Sequence, residues 1–151
     1  MFDQSDQPPD DPEALARACA YAMWAEDRAS AGLGMSLEAV GPGTAMLSME
    51  IGPAMVNGHG MCHGGYIFAL ADSAFAFACN TYGDRTVAQQ ASILFVRPGR
   101  LGERLVAHAI ERTRAGRTGL YDIRVTGDDG SVVAEFRGQS RSTGRPFFAP
   151  E

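Results

Sequence analysis

The sequence predicts an α+β protein with a single antiparallel sheet, and three features predict it. A helical apolar period runs through the first third of the chain, a strand period of two follows it, and after Gly83 only strand patterns remain. The order reads helix, two strands, helix, four strands, which fits a six-stranded sheet wrapped around one central helix.

Each element has a local reason. Asp10 or Asp11 caps the first helix, with Pro12 at its first position and Glu13 beside its positive end. Leu15, Ala18, Cys19, Ala22 and Met23 form its one apolar stripe, and Gly32 and Gly34 end it. Ala45, Leu47, Met49 and Ile51 then alternate with Thr44, Met46, Ser48 and Glu50. A Gly-rich loop, Asn57–Gly65, leads into a second helix expected to end near Gly83. The remaining strands are expected over Thr86–Val96, Arg104–Arg112, Thr118–Thr126 and Ser131–Ser140, with turns at Arg97-Pro98-Gly99, Ala115-Gly116 and Asp128-Asp129-Gly130. Residues 1–10 read as a polar mobile tail, 11–145 as one domain and 146–151 as a short C-terminal tail.

The 151 residues suit one domain, and 45% apolar with 21% charged residues is a globular balance. All thirteen basic residues are arginine, against 18 acidic ones, and the net charge of −5 argues against a nucleic-acid surface. The N-terminus is acidic and polar where a signal peptide is basic and then apolar. The longest apolar stretch, Tyr66–Cys79, is broken by Asp72 and falls short of the ~20 residues a membrane helix needs. Cys19, Cys62 and Cys79 are an odd, widely spaced set, as expected of reduced thiols in a cytoplasm.

The second helix carries the chemistry. It is apolar or small all round except for Tyr66, Asp72 and Ser73, so it is expected to be buried as the centre of the fold. On the helical wheel Asp72 neighbours Phe68, Ala69, Phe75 and Ala76, none of which pairs with a carboxylate. An unpaired buried charge is costly, which makes Asp72 a candidate to act on a substrate. At the helix start, His63-Gly64-Gly65 offers free backbone N–H groups and the positive dipole end where glycine admits a close approach. Together they provide an oxyanion site and a general base or nucleophile, the two parts of acyl transfer. Ser73 lacks the Gly-x-Ser-x-Gly elbow of a serine hydrolase.

Asn57, His63-Gly64-Gly65 six residues on and Asp72 nine residues after the histidine resemble the signature of hotdog-fold acyl-CoA thioesterases of the phenylacetate-pathway (PaaI) type. The resemblance spans residues 15–145. It includes Met55-Val-Asn-Gly58, Ala71-Asp-Ser-Ala-Phe-Ala-Phe-Ala-Cys-Asn80, Phe95-Val-Arg-Pro-Gly99, Thr118-Gly-Leu-Tyr-Asp-Ile123 and Phe136-Arg-Gly138. It implies hydrolysis of an aryl-acetyl-CoA or hydroxylated aryl-acetyl-CoA with no metal or organic cofactor. Asp72 would activate water or attack the thioester carbon, the Gly64 amide would polarise the carbonyl, and Asn57 and His63 would position thioester or water. With no lysine in the chain, contacts to CoA phosphates would fall to arginine.

Other groups are weighed beside these. His59, Cys62 and His63 share a loop but lack a fourth ligand, so a metal site is not expected. His108 reads as a sheet residue. Gly65 and Tyr66 are candidates to line the substrate site, and of Gln89 and Gln90 one is expected to face inward, toward the nucleophilic water. Arg117, with Arg97, is a candidate for the CoA phosphates. Two other functions are kept open: a hotdog hydratase or dehydratase, and a non-catalytic acyl-CoA sensor.

Gly64 and Asp72 lie eight residues apart, ~12 Å along one helix axis, so one helix cannot bring both to one carbonyl. A two-fold homodimer with antiparallel central helices is the expected active unit. The resemblance implies pairing of dimers into a homotetramer.

Overall fold

The computed structural model describes residues 7–148, so residues 1–6 of the expected N-terminal tail and 149–151 of the C-terminal one lie outside it. Asp11 opens α1 (Pro12–Glu26), accepting the Ala14 N–H at 2.9 Å, with Pro12 in the first turn as expected. The helix stops at Glu26, well before Gly32. Asp27 leaves the helical region, with φ −83° and ψ 84°, and its side chain caps a separate short helix, α2 (Arg28–Gly32). One carboxylate thus ends the first helix and starts the next, a break that apolar periodicity does not register.

Then come β1 (Ser36–Gly41), β2 (Thr44–Glu50), a 3-10 turn (Pro53–Met55), α3 (Gly64–Cys79), β3 (Asp84–Phe95), β4 (Arg104–Ala115), β5 (Thr118–Thr126) and β6 (Val132–Pro146). They form one six-stranded sheet in the order β1-β2-β4-β5-β6-β3, with every neighbouring pair antiparallel. The last strand runs past the expected Ser140 because β3 is long enough to pair with it as far as Pro146.

Alternation places Leu47 and Met49 of β2, Leu105 of β4, Ile123 and Val125 of β5 and Phe136 of β6 in one core with Ile67, Leu70 and Phe75 of α3. Each large apolar side chain buried there contributes about 1.5–3 kcal/mol. The helix sits close to the sheet at Gly138, where an added Cβ would lie 2.8 Å from the Phe75 ring. Asn80 ends α3 earlier than the expected Gly83. Its Nδ2 donates to the Ala76 and Thr86 carbonyls, both at 2.9 Å, and its Oδ1 accepts the Thr86 N–H at 2.7 Å. The end of the helix is thereby tied to the start of β3.

Burial of α3 is one-sided, which corrects the expectation of a helix enclosed all round. Phe68, Ala69, Asp72, Ser73 and Ala76 are only half-buried in the single chain, and apart from Phe68 they are small or polar. Strand β3, at the sheet edge, also shows apolar side chains to solvent: Val87, Leu94 and Phe95 are 54%, 65% and 49% exposed.

Candidate active site

The loop before α3 is built by its own polar groups. Asn57 Oδ1 accepts the N–H groups of His59 (2.9 Å) and Met61 (3.2 Å), and an isolated bridge pairs Val56 with Cys62. His63 is the N-cap of α3, and its Nδ1 accepts the Gly65 N–H at 3.1 Å. The Gly64 N–H has no acceptor among the described residues. Of the two glycine amides at the positive end of the helix, the histidine cap takes that of Gly65 and leaves that of Gly64. The Phe95 ring covers Gly64 so closely that a Cβ there would lie 2.9 Å from it.

Asp72 is half-buried and makes no hydrogen bond or ion pair among the described residues. Burial pushes its carboxyl pKa above the ordinary 3.8. The Cys79 thiol, two turns on, is pushed up to about 12, chiefly by its own burial. The expectation that the neighbours of Asp72 leave it unpaired therefore holds for the fold as well as for the helix.

The other predicted residues divide. Tyr66 and Gly65 line a cavity at the first turn of α3, and Tyr66 sets its ring edge-on to that of His63 at 6.3 Å. Gln89 and Gln90 are both exposed, so neither is turned into the core as expected. A bulge between Ala88 and Gln90 breaks the alternation on which that expectation rests. Arg97 is already engaged: its Nη2 and Nη1 meet the two Glu103 oxygens at 2.7 and 3.1 Å, and its Nε donates to Ser131 Oγ at 2.7 Å. That bidentate pair closes the turn between β3 and β4 and takes up the group expected to meet phosphate. Arg117 is exposed and has no carboxylate partner among the described residues. Among those residues no three His, Cys, Asp or Glu side chains are grouped so as to hold a metal ion. His108 lies exposed on β4.

Sequence reasoning missed Asp27 and Ser30. Ser30 Oγ donates to Asp27 Oδ2 at 2.6 Å and lies 2.9 Å from Ser73 Oγ, which joins α2 to α3 beside Asp72. The Asp-x-x-Ser spacing of a capped helix start was the available signal.

The model of the thioesterase superfamily matches residues 59–134. The acyl-coenzyme A thioesterase PaaI of Escherichia coli is 42% identical over 125 residues, which cover 83% of this chain and 89% of that relative. The structure of the E. coli PaaI protein from the phenylacetic acid degradation operon matches with a TM-score of 0.88 at 39% identity, over 90% of this chain and 99% of that one. The smu.793 protein of Streptococcus mutans, solved bound to acetyl CoA, matches at 26% identity with a TM-score of 0.71, over 74% of this chain and 90% of that one. The fold is the hotdog fold, and the chain is a thioester hydrolase. The chain belongs to the thioesterase superfamily.

Proposed function

We propose that this enzyme hydrolyses an aryl-acetyl-CoA or hydroxylated aryl-acetyl-CoA thioester to CoA and the free acid, within a cytoplasm. The observation that carries the reading is Asp72, a half-buried carboxylate without a partner among the described residues, on the helix whose first free amide is that of Gly64. The relative named as an acyl-coenzyme A thioesterase and the neighbour solved with acetyl CoA support CoA as the leaving group.

In this mechanism the Gly64 N–H and the helix dipole stabilise the oxyanion that forms on the thioester oxygen. Asp72 takes a proton from water as the water oxygen bonds to the carbonyl carbon, or attacks that carbon itself and is later freed by water. In either route the C–S bond breaks as the tetrahedral adduct collapses, in the second route before water frees Asp72. The thiolate leaves and becomes free CoA with a proton that comes from Asp72 in the first route and from the hydrolytic water in the second. Asn57 and His63 position thioester or water, Arg117 meets the nucleotide phosphates, and the reaction so written uses no metal and no organic cofactor.

The active unit in this reading is a homodimer. Gly64 and Asp72 are ~12 Å apart along α3, and a carbonyl needs both within ~3 Å. Antiparallel α3 helices related by a two-fold axis near Phe68, midway between them, would set Gly64 of one subunit beside Asp72 of the other. The small, half-buried face of α3 and the exposed edge of β3 support this, since an unpaired edge strand is a ready surface for a second copy. A pair of such dimers would give a homotetramer.

The test is to incubate the enzyme with phenylacetyl-CoA, a linear acyl-CoA and a 2-enoyl-CoA, following free thiol and enoyl absorbance. Thiol release that Asp72→Asn abolishes is the expected result. Loss of enoyl absorbance without thiol release would make it a hydratase, and binding without either would make it a sensor.

A further inference from the structure

Beside the first turn of α3 lies an open cavity of about 460 Å³ whose walls come from three separate segments. Ala54, Met55 and Val56 line it from the 3-10 turn and its exit, Tyr66 and Ala69 from α3, and Leu33 from the end of α2. His63 and Gly65, the chain neighbours of Gly64, line it as well. Most of the lining is apolar, and it includes the two residues that flank Gly64, the amide that would hold a thioester oxygen. An acyl group fits such a space with its tail inside and its carbonyl beside Gly64.

Leu33 does not belong to the sheet or to α3, so something must hold it there. Helix α2 is five residues long, too short to be stable alone. Asp27 Oδ1 accepts the Ser30 N–H at 2.9 Å, and Oδ2 accepts the Ser30 O–H at 2.6 Å. Ser30 is 2% exposed, and its single proton is given to the carboxylate, which can only accept. The 2.9 Å contact between Ser30 and Ser73 therefore has Ser73 as donor. A directed chain, Ser73 to Ser30 to Asp27, ties α2 to α3. Leu33 follows Ser30 by three residues, its N–H bonded to the Ala29 carbonyl at 3.1 Å, so the position of Ser30 fixes that of Leu33.

We propose that Leu33 is a specificity-determining residue for the acyl group, and that Ser73 and Ser30 are positioning residues that set the width of the cavity through it. This rests on the thioesterase reading above and adds to it the place where the acyl group lies. The bulky acyl group, aryl or medium-chain, packs between Leu33 and Tyr66, while an acetyl group is too short to reach Leu33.

The test compares kcat and KM by thiol release on acetyl-CoA, hexanoyl-CoA and phenylacetyl-CoA for the wild type, Leu33→Ala, Ser73→Ala and Ser73→Thr. Leu33→Ala is expected to raise KM for the bulkier substrates by about tenfold, the size of effect a few apolar carbons produce, and to change that for acetyl-CoA far less. Ser73→Ala is expected to shift the same ratio in the same direction, and Ser73→Thr, which keeps the donor, to restore it. Equal changes on all three substrates, no change, or a threonine variant as impaired as the alanine one would overturn the proposal. A wild type that releases thiol from none of the three would instead overturn the thioesterase reading. One that accepts hexanoyl-CoA but not phenylacetyl-CoA would correct the acyl class and still test Leu33.

Discussion

His63 Nδ1 accepts the N–H of Gly65 at 3.1 Å and so leaves the amide of Gly64, one residue earlier, as the free donor at the head of α3. One side chain caps the helix and, in the proposed mechanism, selects the oxyanion donor. His63→Ala removes the cap and is expected to cost about 1 kcal/mol of stability in chemical denaturation. His63→Asn keeps a cap acceptor, so stability should return while thiol release stays reduced. Full recovery of activity in the asparagine variant would limit His63 to capping.

Asp72→Asn keeps size and removes charge, and it is expected to lower kcat by at least ~10²-fold with ligand binding retained. Turnover within a few-fold of wild type would exclude Asp72 as base or nucleophile.

The same variant has a signed effect on stability. Burial raises the Asp72 pKa in the folded state above 3.8, so the native protein holds this proton to higher pH than the unfolded chain does. Ionising it costs stability as pH rises from 3.8 through the raised value, and the whole cost is present at neutral pH. Asp72→Asn should therefore raise Tm at pH 7, with the gain fading in acid. A fall in Tm at pH 7 would mean that the carboxylate stabilises the fold.

Much of this arrangement was legible because it is local. The Gly-Gly start of α3 after a histidine, the unpaired Asp72 and the alternation in β2 and β5 all follow from near neighbours in the chain. What could not be read depends on distant partners. Asp27 ends α1 because its side chain caps a new helix docked on Ser73, and Gln89 loses its place in the alternation because β3 bulges against β6. Arg97 looked available for phosphate until the turn after β3 brought Glu103 to it.

On the outer face of the sheet, Asp122 of β5 is held down to about 2, first by Arg137, which bonds it at 2.6 Å, and also by Arg112 at 2.8 Å. Its contribution is complete above pH 3.8 and lost as pH falls toward 2. Both arginines are more than half exposed, so solvent screens the pairs and Asp122→Asn should cost only about 1 kcal/mol at pH 7. A stability loss that persists undiminished at pH 2 would assign the effect to packing.

In the proposed dimer each site takes Gly64 and Asn57 from one subunit and Asp72 from the other, an arrangement that co-expression of two inactive chains can reveal. Asn57→Ala and Asp72→Asn chains, differently tagged, are produced together and the mixed dimers purified. In a mixed dimer both defects fall in one site and the other site is intact. Mixed dimers should then show about half the wild-type thiol release per dimer, and an unfractionated random mixture roughly a quarter, where each parent alone has almost none. Verified mixed dimers no more active than the parents would contradict a site shared between subunits.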